Sequence, residues 1–170
     1  MSSESSFSEK LERARDLADV FELVKSAVST CTGRCRGGLM LGLANLGGGL
    51  DGFVGAFHPV ATNIIVVNSL PLARIRETEP ELFKPYAFHI LLHEYVHTLG
   101  SIDEAEVKAL VVKISLQAFG ADHPVTDFAR NLDKYIPKLV YPVFGWMPNE
   151  EYEVSLVRGF DRSSASPYIR

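Results

Sequence analysis

Cysteine is nearly missing from this chain, which has Cys31 and Cys35 and no others in 170 residues. A secreted disulfide framework needs more. The spacing C-x3-C has no second cysteine or histidine pair near it in sequence to complete a structural zinc site, so two ordinary thiols are expected. Long apolar runs are missing too, since none approaches the roughly 20 residues that a membrane helix requires. The opening Met1-Ser2-Ser3-Glu4-Ser5-Ser6 lacks the basic start and apolar middle of a signal peptide. These absences predict a cytoplasmic protein with no membrane partner. Positive charge is not in excess: the net charge is −4, and without a long basic run no nucleic-acid partner is expected, because binding of that kind works by neutralising phosphates. The small basic cluster at Arg34 and Arg36 reads as a solvated loop.

What is present suits a single domain of the α+β class. Hydrophobic residues make up 46% of the chain, enough to fill one core. Residues 8–29 read as an amphipathic helix whose apolar stripe is Leu11, Leu17, Val20, Phe21, Val24 and Val28. Residues 38–46 and 51–58, joined by Gly47-Gly48-Gly49, read as a hairpin, with room along its glycines for a bulge or a bound peptide. A third strand over 62–68 follows, making 38–68 the strand region of a small mixed or antiparallel sheet. Helices are expected over 78–83, 85–99, 102–119 and about 124–136. Pro137, Pro142, Pro148 and Pro167 then interrupt any periodicity, so 137–170 is expected to be irregular, and Ser163 to Arg170 mobile.

Chemistry concentrates in His93-Glu94-Tyr95-Val96-His97. Two histidines four residues apart sit about 40° apart around a helix and roughly 6 Å apart along it. Both imidazoles can therefore reach one metal ion at about 2.0–2.1 Å. Glu94 lies on an adjacent face, where its carboxylate can reach a water rather than the ion. The flanks agree with a helix: Pro85 suits a first turn, Gly100 suits the position past the end, and Phe88, Leu91, Leu92, Tyr95, Val96 and Leu99 recur at steps of three and four.

The pattern extends to H-E-x-x-H-x-x-G-x-x-D. Gly100 lets the chain fold back within a turn of the second histidine, and Asp103 is then placed to supply a third ligand as a carboxylate oxygen. Glu104 or Glu106 would serve if the loop were tighter. Ser101-Ile102-Asp103-Glu104 also reads as a capping box, with Ser101 as the cap and Asp103 merely in the first turn. His89 and His97 lie eight residues apart, about 12 Å along a helix axis, so His89 is expected beside the ligands or in the core and not on the same ion. His58 and His123, each before a proline, stand in turn-like contexts.

With these residues the chain resembles the small zincin-like metallopeptidase domains that carry HExxHxxGxxD. The likeness covers roughly residues 38–120, with 93–103 bearing most of its weight. It implies a compact zincin-like domain, a sheet packed on the active-site helix, and an edge strand within 38–68 that binds an extended peptide or protein substrate. It carries the third-ligand role onto Asp103 and makes Met147, in Phe144-Gly145-Trp146-Met147-Pro148, the candidate for a methionine turn beneath the metal. The implied activity is that of a zinc-dependent peptidase. His93, His97 and Asp103 hold Zn2+, and Glu94 takes the proton of the attacking water and returns it to the leaving amine. Tyr135, Tyr141, His58 and His123 are open candidates for stabilising the oxyanion. Two other readings compete. One is a metallohydrolase of a non-peptide substrate such as RNA, although the family that suggests it has glycine where Glu94 stands. The other is a non-catalytic zinc- or peptide-binding module on the same scaffold.

Overall fold

A computed structural model describes residues 6–47, 53–59, 61–101, 103–141, 154–157 and 160. It is an α+β domain in which helices cover one face of a small mixed sheet. Helices α1 (Phe7–Arg13) and α2 (Leu17–Thr32) come first. The strands are β1 (Met40–Ala44), β2 (Ala56–Phe57) and β3 (Ile64–Asn68), and α3 (Ser69–Thr78) follows directly. A 3-10 turn at Pro80–Leu82 leads into α4 (Phe83–Thr98), the helix of the H-E-x-x-H segment. Then come α5 (Glu104–Phe119), α6 (Pro124–Asn131), a 3-10 turn at Leu132–Tyr135, α7 (Ile136–Leu139) and β4 (Ser155–Leu156).

Several expectations are corrected. The single helix over 8–29 is two, because the chain is extended at Ala14 and restarts at Asp16, whose side chain caps α2 by accepting from the N–H of Asp19. The hairpin over 38–58 does not form. β1 pairs in parallel with β3, in the register Met40 opposite Ile64, and β2 pairs antiparallel with the other side of β3, so β3 lies between the two expected partners. The β-branched run of β3 wins the central position because Ile65, Val66 and Val67 can be buried there. Two glycines do sit where backbone comes close, but the chain itself fills the space. A Cβ on Gly55 would come within 2.8 Å of Ile90 on α4, and one on Gly42 would collide with Val154. Gly48 and Gly49 lie outside the described residues. The helix expected over 78–83 is instead the end of α3 and the 3-10 turn, and the helix expected over 124–136 breaks after Asn131. The C-terminal part is not wholly irregular: α7 forms, β4 adds antiparallel to the free side of β1, and Phe160 stacks on Phe21 at 4.1 Å. Residues 161–170 lie outside the described residues.

The core explains why α4 holds its place. Phe21, Val24 and Val28 of α2, Leu41, Ile65 and Val67 of the sheet, and Val107, Val111 and Ile114 of α5 converge on Tyr86, Phe88, Leu91, Leu92 and Tyr95 of α4. Apolar residues occupy nearly every side of α4, so it is a central helix and not a half-exposed one. Tyr95 is fully buried, and its hydroxyl accepts from the N–H of Arg36 at 2.8 Å.

Asn68, at the end of β3, ties the strands to the helices. Its Oδ1 accepts from the N–H groups of Leu46 and Leu70 at 3.0 and 3.2 Å, and its Nδ2 donates to the carbonyls of Gly47 and Val54, both at 2.7 Å. The residue is completely enclosed. Alanine there would leave these four backbone groups without partners, at about 1–3 kcal/mol for each that water cannot reach. Asn68→Ala is expected to lower the melting temperature by about 6–12 °C, on a loss of about 3 kcal/mol; a change below about 2 °C in a thermal melt would show that the network does not matter.

Candidate metal centre

His93 and His97 project from the last turns of α4, and the next helix is capped only a short way further along the chain, at Asp103. The turn between the helices is short because Leu99 and Gly100 hydrogen-bond back to Val96 and His97, and Gly100 takes φ +108°, a conformation that favours glycine. The return brings the start of α5 alongside the two imidazoles. The carboxylate that reaches them is that of Glu104: its Oε1 lies 2.6 Å from His93 Nε2 and its Oε2 lies 3.0 Å from His97 Nε2. His93, His97 and Glu104 have ligand atoms that all fall within 4.8 Å of one another, a grouping able to hold a metal ion.

Asp103 is not in that group. Its carboxylate caps α5, accepting from the N–H of Ala105 at 2.9 Å and, more weakly, from Glu106 at 3.5 Å. The expected capping box is therefore corrected, since the cap is Asp103 and not Ser101. Ser101 acts instead through its backbone, where its carbonyl accepts from Nδ1 of His97 at 2.9 Å. A carbonyl can only accept, so Nδ1 carries the proton, which turns Nε2 toward Glu104. A backbone carbonyl holding the far nitrogen of a metal-ligating histidine is the usual outer-layer support.

The donor set fits zinc. Two imidazole nitrogens and one carboxylate are zinc ligands of the kind that leave a coordination position for water. Ligand atoms around a tetrahedral ion with bonds of about 2.1 Å lie about 3.4 Å apart. The observed 2.6 and 3.0 Å would have to open by less than about 1 Å, within the reach of Glu104, which is half exposed at the helix start.

Glu94 sits on the adjacent face, 7% exposed. Burial pushes its carboxyl up to about 7, with the neighbouring Glu104 adding to the rise and His97 opposing it. Burial also lowers His93, against the pull of Glu104. A carboxyl poised near neutrality beside two imidazoles is suited to exchanging a proton.

The remaining candidates are dispersed. His89 is buried in the core, 5% exposed, and burial lowers it to about 3. His58 donates through Nδ1 to the carbonyl of Ile64, and His123 caps α6 by accepting from Val125. Tyr135 bonds to Asp127 and Tyr141 to Glu77. Met147 lies outside the described residues. The arginines expected to be solvated instead grip the C-terminal end of α4. Arg34 donates to the carbonyl of Leu99, and Arg36 donates to those of Thr98 and Thr62 at 2.8 and 3.1 Å. Two cations at a helix C-terminus satisfy its last carbonyls and oppose its dipole. The signal available in sequence was their place just past Gly33, where α2 must end. A cleft of about 720 Å³ lies at the opposite end of α4, around Leu11, Phe83, Lys84 and His123, and is separate from the histidine cluster.

No protein-family model, curated protein or solved structure matches the chain. Its site is therefore read from its own residues: an α+β domain with a two-histidine, one-carboxylate cluster and a buried glutamate beside it.

Proposed function

We propose that the chain is a zinc-dependent hydrolase of the peptidase type, with His93, His97 and Glu104 as ligands and Glu94 as the proton carrier. The observation that carries the reading is the convergence of both motif histidines and a glutamate from the next helix, with Glu94 enclosed next to them. When bound, zinc supplies a Lewis acid that polarises a carbonyl and lowers the pKa of water toward about 7. Glu94 accepts the proton of the attacking water and donates it to the departing amine, a role that requires its carboxyl to be free of other partners. Among the described residues no hydrogen bond engages it. Of the expected strands, β2 has its outer side unpaired in the described sheet, and it is the edge on which an extended peptide would add.

Likeness to the HExxHxxGxxD zincins supports the same reading from the sequence. The ligand set differs from that pattern in using Glu104, the residue after Asp103. A cytoplasmic location goes with this reading on sequence grounds, and no helix among the described residues is long and apolar enough to cross a membrane.

The test is elemental analysis together with cleavage of a mixed peptide library. Protein purified without chelator should carry about one zinc per chain, and a His93→Ala/His97→Ala variant should carry almost none, because a site with three protein ligands loses two of them. Equal metal in both proteins would remove the centre. Full metal without cleavage of any peptide would favour the non-catalytic zinc-binding module.

A further inference from the structure

The stripe that carries the ligands continues beyond them. On α4, His97, His93 and His89 succeed one another at four-residue steps, and on α5, Glu104, Lys108 and Val111 follow at steps of four and three. Glu104 meets His97 and His93 at one end, while His89 and Val111 line one space at the other, so the stripes lie side by side in opposite chain directions. α6 and the 3-10 turn after it close this space into a crevice of about 200 Å³.

Two observations mark it as a built site. His93, a proposed ligand, forms part of its wall, so the crevice opens beside the metal centre. His89, also in the wall, is more than nine-tenths buried, and its Nδ1 is enclosed with no hydrogen-bond partner. A buried polar group left in this state is costly unless something binds it. Around it, Val111 and Phe128 are sealed from solvent, while Lys108, Arg130 and Asp133 stand exposed at the rim. A neutral imidazole presents one N–H and one lone pair. Nδ1 is one or the other according to the tautomer, so a tip able both to accept and to donate satisfies it in either case, and the apolar floor disfavours an ion.

We propose that this crevice is the specificity pocket of the centre. It takes the side chain beside the bond to be cut when that side chain has an apolar stem and an uncharged hydrogen-bonding tip, as tyrosine and glutamine have, and the tip bonds to His89. The peptide substrate rests on the peptidase reading; the binding preference of the crevice does not.

Two measurements on the full chain separate those claims. The first follows the His89 ring resonances by NMR while phenol, propionamide or toluene is added. Phenol and propionamide should shift them and bind about tenfold more tightly than toluene, the gain of one neutral hydrogen bond. In His89→Phe, phenol should lose that advantage over toluene, followed by the neighbouring methyl resonances. Ala129→Leu, which fills the crevice from α6, should weaken all three probes, so the test survives if His89→Phe does not fold. Equal binding of phenol and toluene to the wild-type chain, or shifts elsewhere but none at His89, would overturn the pocket. The second measurement is the cleavage profile of a peptide library. One position flanking the cut should prefer tyrosine and glutamine over phenylalanine and leucine by about tenfold, and His89→Phe should abolish the preference. A preference unchanged in that variant would also overturn the pocket. Probe binding as expected with no cleavage of any peptide would instead sink the peptidase reading and leave the pocket in place.

Discussion

Glu104→Gln is expected to weaken zinc binding by about 100- to 10,000-fold, whereas Asp103→Asn should change it by no more than a few-fold. The first figure assigns roughly a third of a total binding free energy of about 10–16 kcal/mol to each protein ligand, lessened by the neutral oxygen that glutamine retains. The second follows from what Asp103 does. Its carboxylate is occupied by the N–H of Ala105, and asparagine caps a helix as well as aspartate does, so α5 and the position of Glu104 should both survive. Competition with a chromophoric chelator reads both constants. The opposite outcome, loss in Asp103→Asn and none in Glu104→Gln, would return the third-ligand role to Asp103 and mean that the loop rearranges around the ion. Glu106→Gln serves as a control for charge alone, because Glu106 also lies in the exposed first turn of α5.

The single-residue difference between Asp103 and Glu104 shows what the sequence could and could not reveal. Histidines at i and i+4 belong to one helix, so their convergence follows from helix geometry and was readable from spacing. The third carboxylate comes from another element. Its placement depends on how many residues the turn consumes and on which one becomes the cap, and Ser101, Asp103 and Glu104 are all competent in a first turn. The class of the fold was legible through the helical periods and the β-branched run at 64–68. The strand order was not: β1 and β2 are close in sequence, but pairing is decided by burial, and β3 is the strand apolar enough for the middle. The roles of Arg34 and Arg36 were hidden for a related reason. Their acceptors are carbonyls of residues 62, 98 and 99, and nothing local in the sequence marks a backbone carbonyl as needing a partner.

Replacing Glu94 should give the largest change in rate and an independent signature in stability. With zinc retained, Glu94→Gln is expected to slow peptide cleavage by about 100- to 10,000-fold, the range that a positioned acid–base group contributes. Zinc content should stay at the wild-type level, since Glu94 is outside the ligand cluster. Cleavage within about threefold of wild type would exclude Glu94 as the proton carrier. The stability signature concerns protein kept in chelator. The folded chain holds the Glu94 carboxyl up to about 7, against about 4.3 in an unfolded chain. Between those values the folded state binds the extra proton, so stability falls as pH rises and the loss is complete above the folded value. Its size is at most about 4 kcal/mol, from about 1.4 kcal/mol per unit. His89 acts in the other direction. Its folded value is lowered to about 3, so the unfolded chain binds the extra proton between about 3 and 6.5 and stability falls as pH falls through that window. The two slopes oppose each other between about 4.3 and 6.5 in the wild type. Glutamine at position 94 removes one of them. Metal-free Glu94→Gln should therefore match the wild type near pH 4 and exceed it at pH 8, by up to about 8–16 °C in melting temperature. An offset that is the same at both pH values would mean that Glu94 does not titrate inside the fold, and its suitability for carrying a proton at neutral pH would fall with it.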